Sequence, residues 1–291
     1  VLPYSYERFN AVNPEKVAMI LRDAREAGKP IIIDGAGDIE HPIDIPNSVI
    51  LRVSQYRYAT QSNEIAVPFP AEDLLQSFSG GTLTLRTKQE TPSVGFTGWA
   101  SPSLLQRAKI FIKELPLTIA TLVDSKRGAE HKGLLFRVRA LKALTSTAGI
   151  DPHFTARTTY SGHIATIKGS VKTNREEFVE NLMGSDYALC VRGDANASVR
   201  FYEALSLGRI PLFVDTACVL PLEDRINYRD FCVIVDWKEV DRIGEKLREF
   251  HAGCTPERFA DMQRKARAAY EGYLRMDSFS RHLADMLRAR L

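Results

Sequence analysis

The sequence predicts an α/β protein with mainly parallel sheets, built as two halves that face each other across a cleft. Strand-like apolar runs alternate with stretches of helical periodicity along the whole chain. A polar stretch from Ser77 to Pro92, with Gly80-Gly81 inside it, reads as a connection between the halves. No internal repeat or low-complexity tract competes with this organisation.

In the first half, Pro14 to Gly28 predicts a helix, with Val17, Ile20, Leu21 and Ala24 on one face and Gly28 as its stop. Ile31-Ile32-Ile33 predicts a buried strand running into Asp34-Gly35-Ala36-Gly37-Asp38. Ser48 to Val53 and Glu64 to Val67 predict two more strands. The second half opens at Ser93 with a short strand and a loop. Leu134 to Thr147 then predicts a helix, and His153 to Thr159 an edge strand. Arg175 to Met183 is helical, Tyr187 to Arg192 a strand, Ser198 to Leu207 a helix and Ile210 to Val214 a strand. Phe231 to Val235 is a further strand, and helices are expected over Glu239 to Phe250, Pro256 to Tyr270 and Ser278 to Leu291. The expected division is 1–90 for the first unit and 91–270 for the second, with 271–291 packing back on the first.

Composition excludes several classes. The 291 residues carry a net charge of +3, from 39 basic and 36 acidic residues, too small a bias to indicate nucleic acid or an anionic membrane. Cys190, Cys218, Cys232 and Cys254 form no CxxC pair and read as buried reduced thiols. His131, His153, His251 and His282 lack metal-ligand spacing, so no metal is expected. No apolar stretch approaches the roughly 20 residues of a membrane span. The chain begins with Val, so the N-terminus is expected to have been trimmed or processed, and an anchor or targeting segment upstream would not be visible in it.

The chemistry concentrates between Tyr187 and Pro211. An apolar strand ends at Arg192, Gly193-Asp194-Ala195-Asn196 turns, and Ser198 starts a helix. Free amides and the positive helix end would face the crevice beyond the strand, where ligands of open α/β sheets bind. Arg192 and Arg200 suit a phosphate, and Glu203 suits a ribose diol. Taken singly, Arg200 and Glu203 could equally form a surface i,i+3 pair, worth about 0.2–0.5 kcal/mol. The next strand returns to the same crevice at Asp215-Thr216.

The run RGDANASVRFYEALSLGRIPLFVDTACVLPLED resembles the exostosin-like glycosyltransferases, glycosyltransferase family 47, in a bacterial-type branch. The resemblance is specific there, extends over about residues 175 to 270, and is looser over Pro30 to Asp73 and through VGFTGW. It implies a GT-B fold of two Rossmann-like domains. It also implies an inverting transfer from a nucleotide-sugar, most often a UDP-sugar, to a glycan acceptor, with no cofactor and no essential metal. Arg192, Ser198 and Arg200 would hold the diphosphate and Glu203 the ribose, with Gly193, Asn196, Gly98, Arg139 and Thr216 lining the donor. Because the family contains pairs, an inactive subunit partnering an active transferase is the alternative, and a homo- or heterodimer is expected under either reading. A bacterial protein would sit in the cytoplasm or at the cytoplasmic membrane, a eukaryotic one in the Golgi lumen.

An inverting transfer needs a general base near the acceptor hydroxyl. Asp38 resembles the Asp of the family's Gly-Gly-x-Asp-His stretch, although His41 stands three residues on rather than next to it; Glu40 and His41 are the other candidates. Gly98 ends a loop that could approach the donor closely. One of Arg137 and Arg139 could reach the phosphates, Tyr160 could stack on a base, and Thr216 to Val219 could offer amides. Arg264, Lys265, Arg267, Arg275, Arg281, Arg288 and Arg290 read as solvated helix faces, or as a contact with anionic lipid.

Overall fold

A computed structural model describes residues 5–35, 37, 42–158 and 171–290 of the chain, the side chains of 171 and 172 excepted. It contains two parallel sheets. The first follows helices α1 (Tyr6–Val12) and α2 (Pro14–Glu26) and joins β1 (Ile31–Asp34), β2 (Ser48–Arg52) and β3 (Glu64–Ala66) in that order. Pro14 starts α2, where its missing N–H costs nothing. Val17 of α2 packs with Ile31, Ile33 and Ile50 in a small core.

The second sheet has the order β5-β4-β6-β7-β8, every pair parallel. Its strands are β4 (Ser93–Trp99), β5 (Asp151–Arg157), β6 (Tyr187–Cys190), β7 (Ile210–Asp215) and β8 (Val233–Asp236). The helices are α3 (Leu74–Ser79), α4 (Leu104–Val123), α5 (Gly133–Ser146), α6 (Val171–Met183), α7 (Val199–Ser206), α8 (Ile243–Ala252), α9 (Pro256–Ala269) and α10 (Met276–Arg290). Strand alternation splits the core between the two faces. Tyr187, Leu189, Leu212 and Val214 pack with Phe136, Leu144, Leu247 and Phe259 from α5, α8 and α9. Ala188, Cys190 and Phe213 pack on the other face with Val179, Phe201 and Leu205 from α6 and α7. Two parallel sheets flanked by helices are the α/β arrangement expected from the sequence.

Three features differ from the sequence reading. The expected loop after β4 contains α4, closed at its start by a capping box between Ser103 and Gln106. The polar connection starts within the last turn of α3 and then docks on α9, the Arg86 amide donating to Gln263 Oε1 at 2.8 Å. Arg267, expected on a solvated face, is buried; its Nη1 and Nη2 donate to Asp73 Oδ1 and Oδ2 at 2.6 and 3.0 Å. Among the described residues no helix is long and apolar enough to cross a membrane.

The first sheet is held internally by a buried ion pair, Arg52 Nε to Glu64 Oε1 at 2.9 Å, with Gln55 Nε2 donating to Glu64 Oε2 at 3.2 Å. Removing one member of a buried pair strands the other charge away from water. Arg52→Met is therefore expected to lower the unfolding free energy by about 3–5 kcal/mol, with Arg52→Met/Glu64→Leu regaining most of it in urea denaturation.

All four cysteines are free and buried, and burial pushes the Cys190 thiol up to about 12. Since the thiolate is the reactive form, none should react with Ellman's reagent at pH 8 in the native protein. All four should react in guanidinium, and any rapid native-state colour would contradict this burial.

Candidate functional site

Three elements converge at the C-terminal ends of β4 and β6. After β6 the chain turns through residues 191–197 into α7, whose N-cap Ser198 is extended (φ −136°, ψ 109°). The N-terminus of α5 packs directly against this turn, and Gly133 permits it: a Cβ there would meet Gly193 O at 2.2 Å. At the end of β4, Gly98 plays the same part toward Arg200, where a Cβ would lie 2.9 Å from Nη2.

These elements enclose a cleft of about 640 Å³, an ordinary size for a small-molecule site. Its lining includes five cations, Lys132, Arg137, Arg157, Arg175 and Arg200, against the carboxylates Asp194 and Glu203. Arg200 lies over the Phe96 ring, 4.4 Å from its centroid, and its Nη2 donates to Thr97 O at 2.6 Å. Burial pulls its guanidinium below the usual arginine value, against opposing pulls from Cys190 and Glu203. No carboxylate hydrogen-bonds Arg200 among the described residues, and its buried Nε has no hydrogen-bond partner there. The same is true of Thr97 Oγ1 and Trp99 Nε1 in the same wall. Buried donors without acceptors are costly, so a ligand supplying oxygen atoms would be well received here.

Glu203 Oε1 accepts from Arg175 Nη1 at 2.6 Å, and Glu72 accepts from Arg175 Nη2 at 2.8 Å. Burial pulls Arg175 down, but these two carboxylates outweigh it and leave its pKa raised. Lys132 stands 5.7 Å from the Trp99 ring centroid and 3.5 Å from Asp194 Oδ1. Arg157 is paired with Glu177.

The structure thus gathers Gly98, Gly193, Ser198, Arg200 and Glu203 around one cleft. It places four other expected donor ligands elsewhere. Arg192 is buried and donates to Tyr56 Oη, to Ala129 O at 3.0 Å and to Asp194 O at 2.6 Å. Asn196 Nδ2 donates to Gln55 O at 3.0 Å and to Thr216 O at 3.2 Å, while its amide donates to Ser54 Oγ at 2.8 Å. Thr216 is buried beside it, its hydroxyl donating to Asn196 Oδ1 at 2.5 Å. The amides of Cys218 and Val219 are likewise used, by Asp215 Oδ1 and Gln55 O. These groups bind the second unit to residues 54–57 of the first, where their side chains are enclosed. Arg139 points away and forms an exposed bidentate pair with Asp241.

Arg137, two residues before the expected Arg139 and so on another face of α5, is the member of that pair that lines the cleft. Lys132 and Arg175 were missed. Their only sequence signal is a basic residue at the start of a predicted helix, which many surface helices share. Asp38, Glu40, His41 and Tyr160 lie outside the described residues.

Residues 132–250 match the model of the exostosin GT47 domain, a stretch that begins at Lys132 and includes all five cleft cations. Exostosin-1 of Drosophila melanogaster is 28% identical over 100 residues, 34% of this chain and 13% of that protein. Exostosin-1a of Danio rerio is 26% identical over 106 residues, 36% of this chain and 14% of that one. The chain therefore spans well under a fifth of these relatives' length. Among solved structures, a glycosyltransferase from Rickettsia africae ESF-5 aligns with a TM-score of 0.42 at 8% identity, covering 94% of this chain and 80% of that one.

The buried Asn196 network and the exposed Arg139–Asp241 pair should separate cleanly on mutation. Asn196→Ala leaves several buried partners unsatisfied and is expected to cost about 1–3 kcal/mol of stability. Arg139→Ala, at an exposed pair, should stay within a few tenths of a kcal/mol. Chemical denaturation of both variants is the check.

Proposed function

We propose that this chain, whose residues 132–250 match the exostosin GT47 domain model, is an inverting glycosyltransferase moving a sugar from a UDP-sugar to a glycan acceptor in polysaccharide or glycoconjugate synthesis. The observation that carries this reading is the cleft itself: five cations and buried donors around a helix N-terminus.

In the proposed reaction the acceptor hydroxyl attacks the anomeric carbon while the bond from that carbon to the diphosphate oxygen breaks. Negative charge grows on the departing diphosphate. Arg200, held against Phe96, is a fixed cation that need not reorganise as this charge appears. Lys132, Arg137, Arg157 and Arg175 add to the same field, so charge neutralisation needs no metal in this reading. Glu203 remains the group for the ribose diol, positioned by Arg175. The hydroxyl's proton goes to a base from the first unit, for which Asp38, Glu40 and His41 are the candidates.

Arg200→Ala should weaken UDP binding by roughly 1.5–3 kcal/mol, and Arg139→Ala should leave it unchanged, as measured by calorimetry. Failure of UDP to bind the wild type would end the donor-site reading. Binding of UDP without turnover of any UDP-sugar would instead favour a partner subunit that holds nucleotide without transferring sugar.

A further inference from the structure

The geometry points to α4 as a self-association helix: we propose that the chain forms a two-stranded seam through α4 of a second copy. This surface lies outside the donor cleft, and the inference does not depend on the reading of that cleft.

Helix α4 is docked by the wrong side for an ordinary surface helix. Only Ile110 is buried, and the side facing the protein carries Gln106, Glu114, Leu117 and Thr121. Glu114 fastens it there, its Oε2 lying 2.7 Å from His131 Nδ1 and accepting from the Lys132 amide at 3.1 Å. The apolar side faces outward. Leu104, Leu105, Phe111, Ile112, Leu115, Ile119, Leu122 and Val123 are 45% to 92% exposed. A monomer rarely leaves so continuous an apolar face to water.

The spacing of that face identifies the occupant. Leu105, Ile112 and Ile119 recur every seven residues, and Ala108, Leu115 and Leu122 recur every seven residues, each three further on. These are the a and d positions of a coiled-coil seam. Two of the three a residues are Ile and two of the three d residues are Leu, the combination that favours two strands. Lys109 and Pro116 fall beside the seam rather than in it, and pairing two copies brings no like charges face to face across a and d. Eight large apolar side chains, 45% to 92% exposed, are a face of the size that a standard interface of roughly 800 Å² per partner calls on. An interfacial lipid helix calls for a strongly charged outer face; here the opposite face is occupied by the protein itself.

The test uses the whole chain in sedimentation velocity over a concentration series. The wild type is expected to dimerise, and Ile112→Asp/Leu115→Asp to be monomeric at every concentration with the wild-type circular-dichroism spectrum and a melting temperature that no longer rises with protein concentration. These side chains are exposed, so the substitutions do not enter the core. A second variant does not rely on disruption. Ile112→Cys should form a disulfide-linked dimer under mild oxidation, and Lys142→Cys on α5 should not; the native cysteines are buried and silent. A wild type that stays monomeric without crosslinking, or a dimer that survives the double Asp change, overturns the proposal. So does a monomer that instead sediments with phosphatidylserine vesicles through Leu115, which would assign α4 to lipid.

Discussion

The position of the cleft depends on one buried amide. Asn196 satisfies three groups at once: the Gln55 carbonyl from the first unit, and the Thr216 carbonyl and hydroxyl from the second. Around it, Ser54, Tyr56 and Arg57 are hydrogen-bonded to the turns after β6 and β7. Low dielectric makes such a network strong when complete and expensive when one member is missing. The turn from 191 to 197 is therefore pinned from behind, by the first unit, and from beside, by the N-terminus of α5. Its free side is the one that faces the cleft.

This arrangement divides the arginines by role. Arg192 and Arg209 hold backbone together, whereas Arg200 leans on aromatic rings and keeps part of its guanidinium uncommitted. A cation without a carboxylate partner is destabilising in a monomer at rest. Its retention beside four other cations is the feature that most sharply separates this cleft from an ordinary structural arginine cluster, where each cation has its own acid, as Arg267 has Asp73 and Glu271.

Much of the fold was legible in the sequence because apolar runs and helix stops report directly on strands and helices. β1, β6 and β7 start where the apolar runs start, and Gly208 marks the end of α7. Helix α4 was not legible as a helix packed on a domain, because its apolar stripe has no partner among the described residues and its docked side is mixed, with Ile110 and Leu117 between Gln106, Glu114 and Thr121. At the site, Gly98, Ser198, Arg200 and Glu203 could be placed together because they sit at one strand end and one helix start. The choice between Arg137 and Arg139 could not be made, since it depends on how α5 is rotated against the turn at Gly193. Nor does a local pattern distinguish an Arg192 that meets a ligand from one that meets Tyr56, 136 residues away in sequence.

Glu114 gives α4 and the cleft a shared hinge point. It grips the backbone of Lys132 while the Lys132 ammonium stands in the cleft wall. The segment that joins them, Ser125–Glu130, packs on α4 as well, so the helix and the lysine share a carboxylate contact and a short covalent path. A ligand contact that favoured one position of α4 would be favoured by that position in equal measure. The outer helix and the cleft wall thus meet at a carboxylate that lines neither the apolar face nor the cleft.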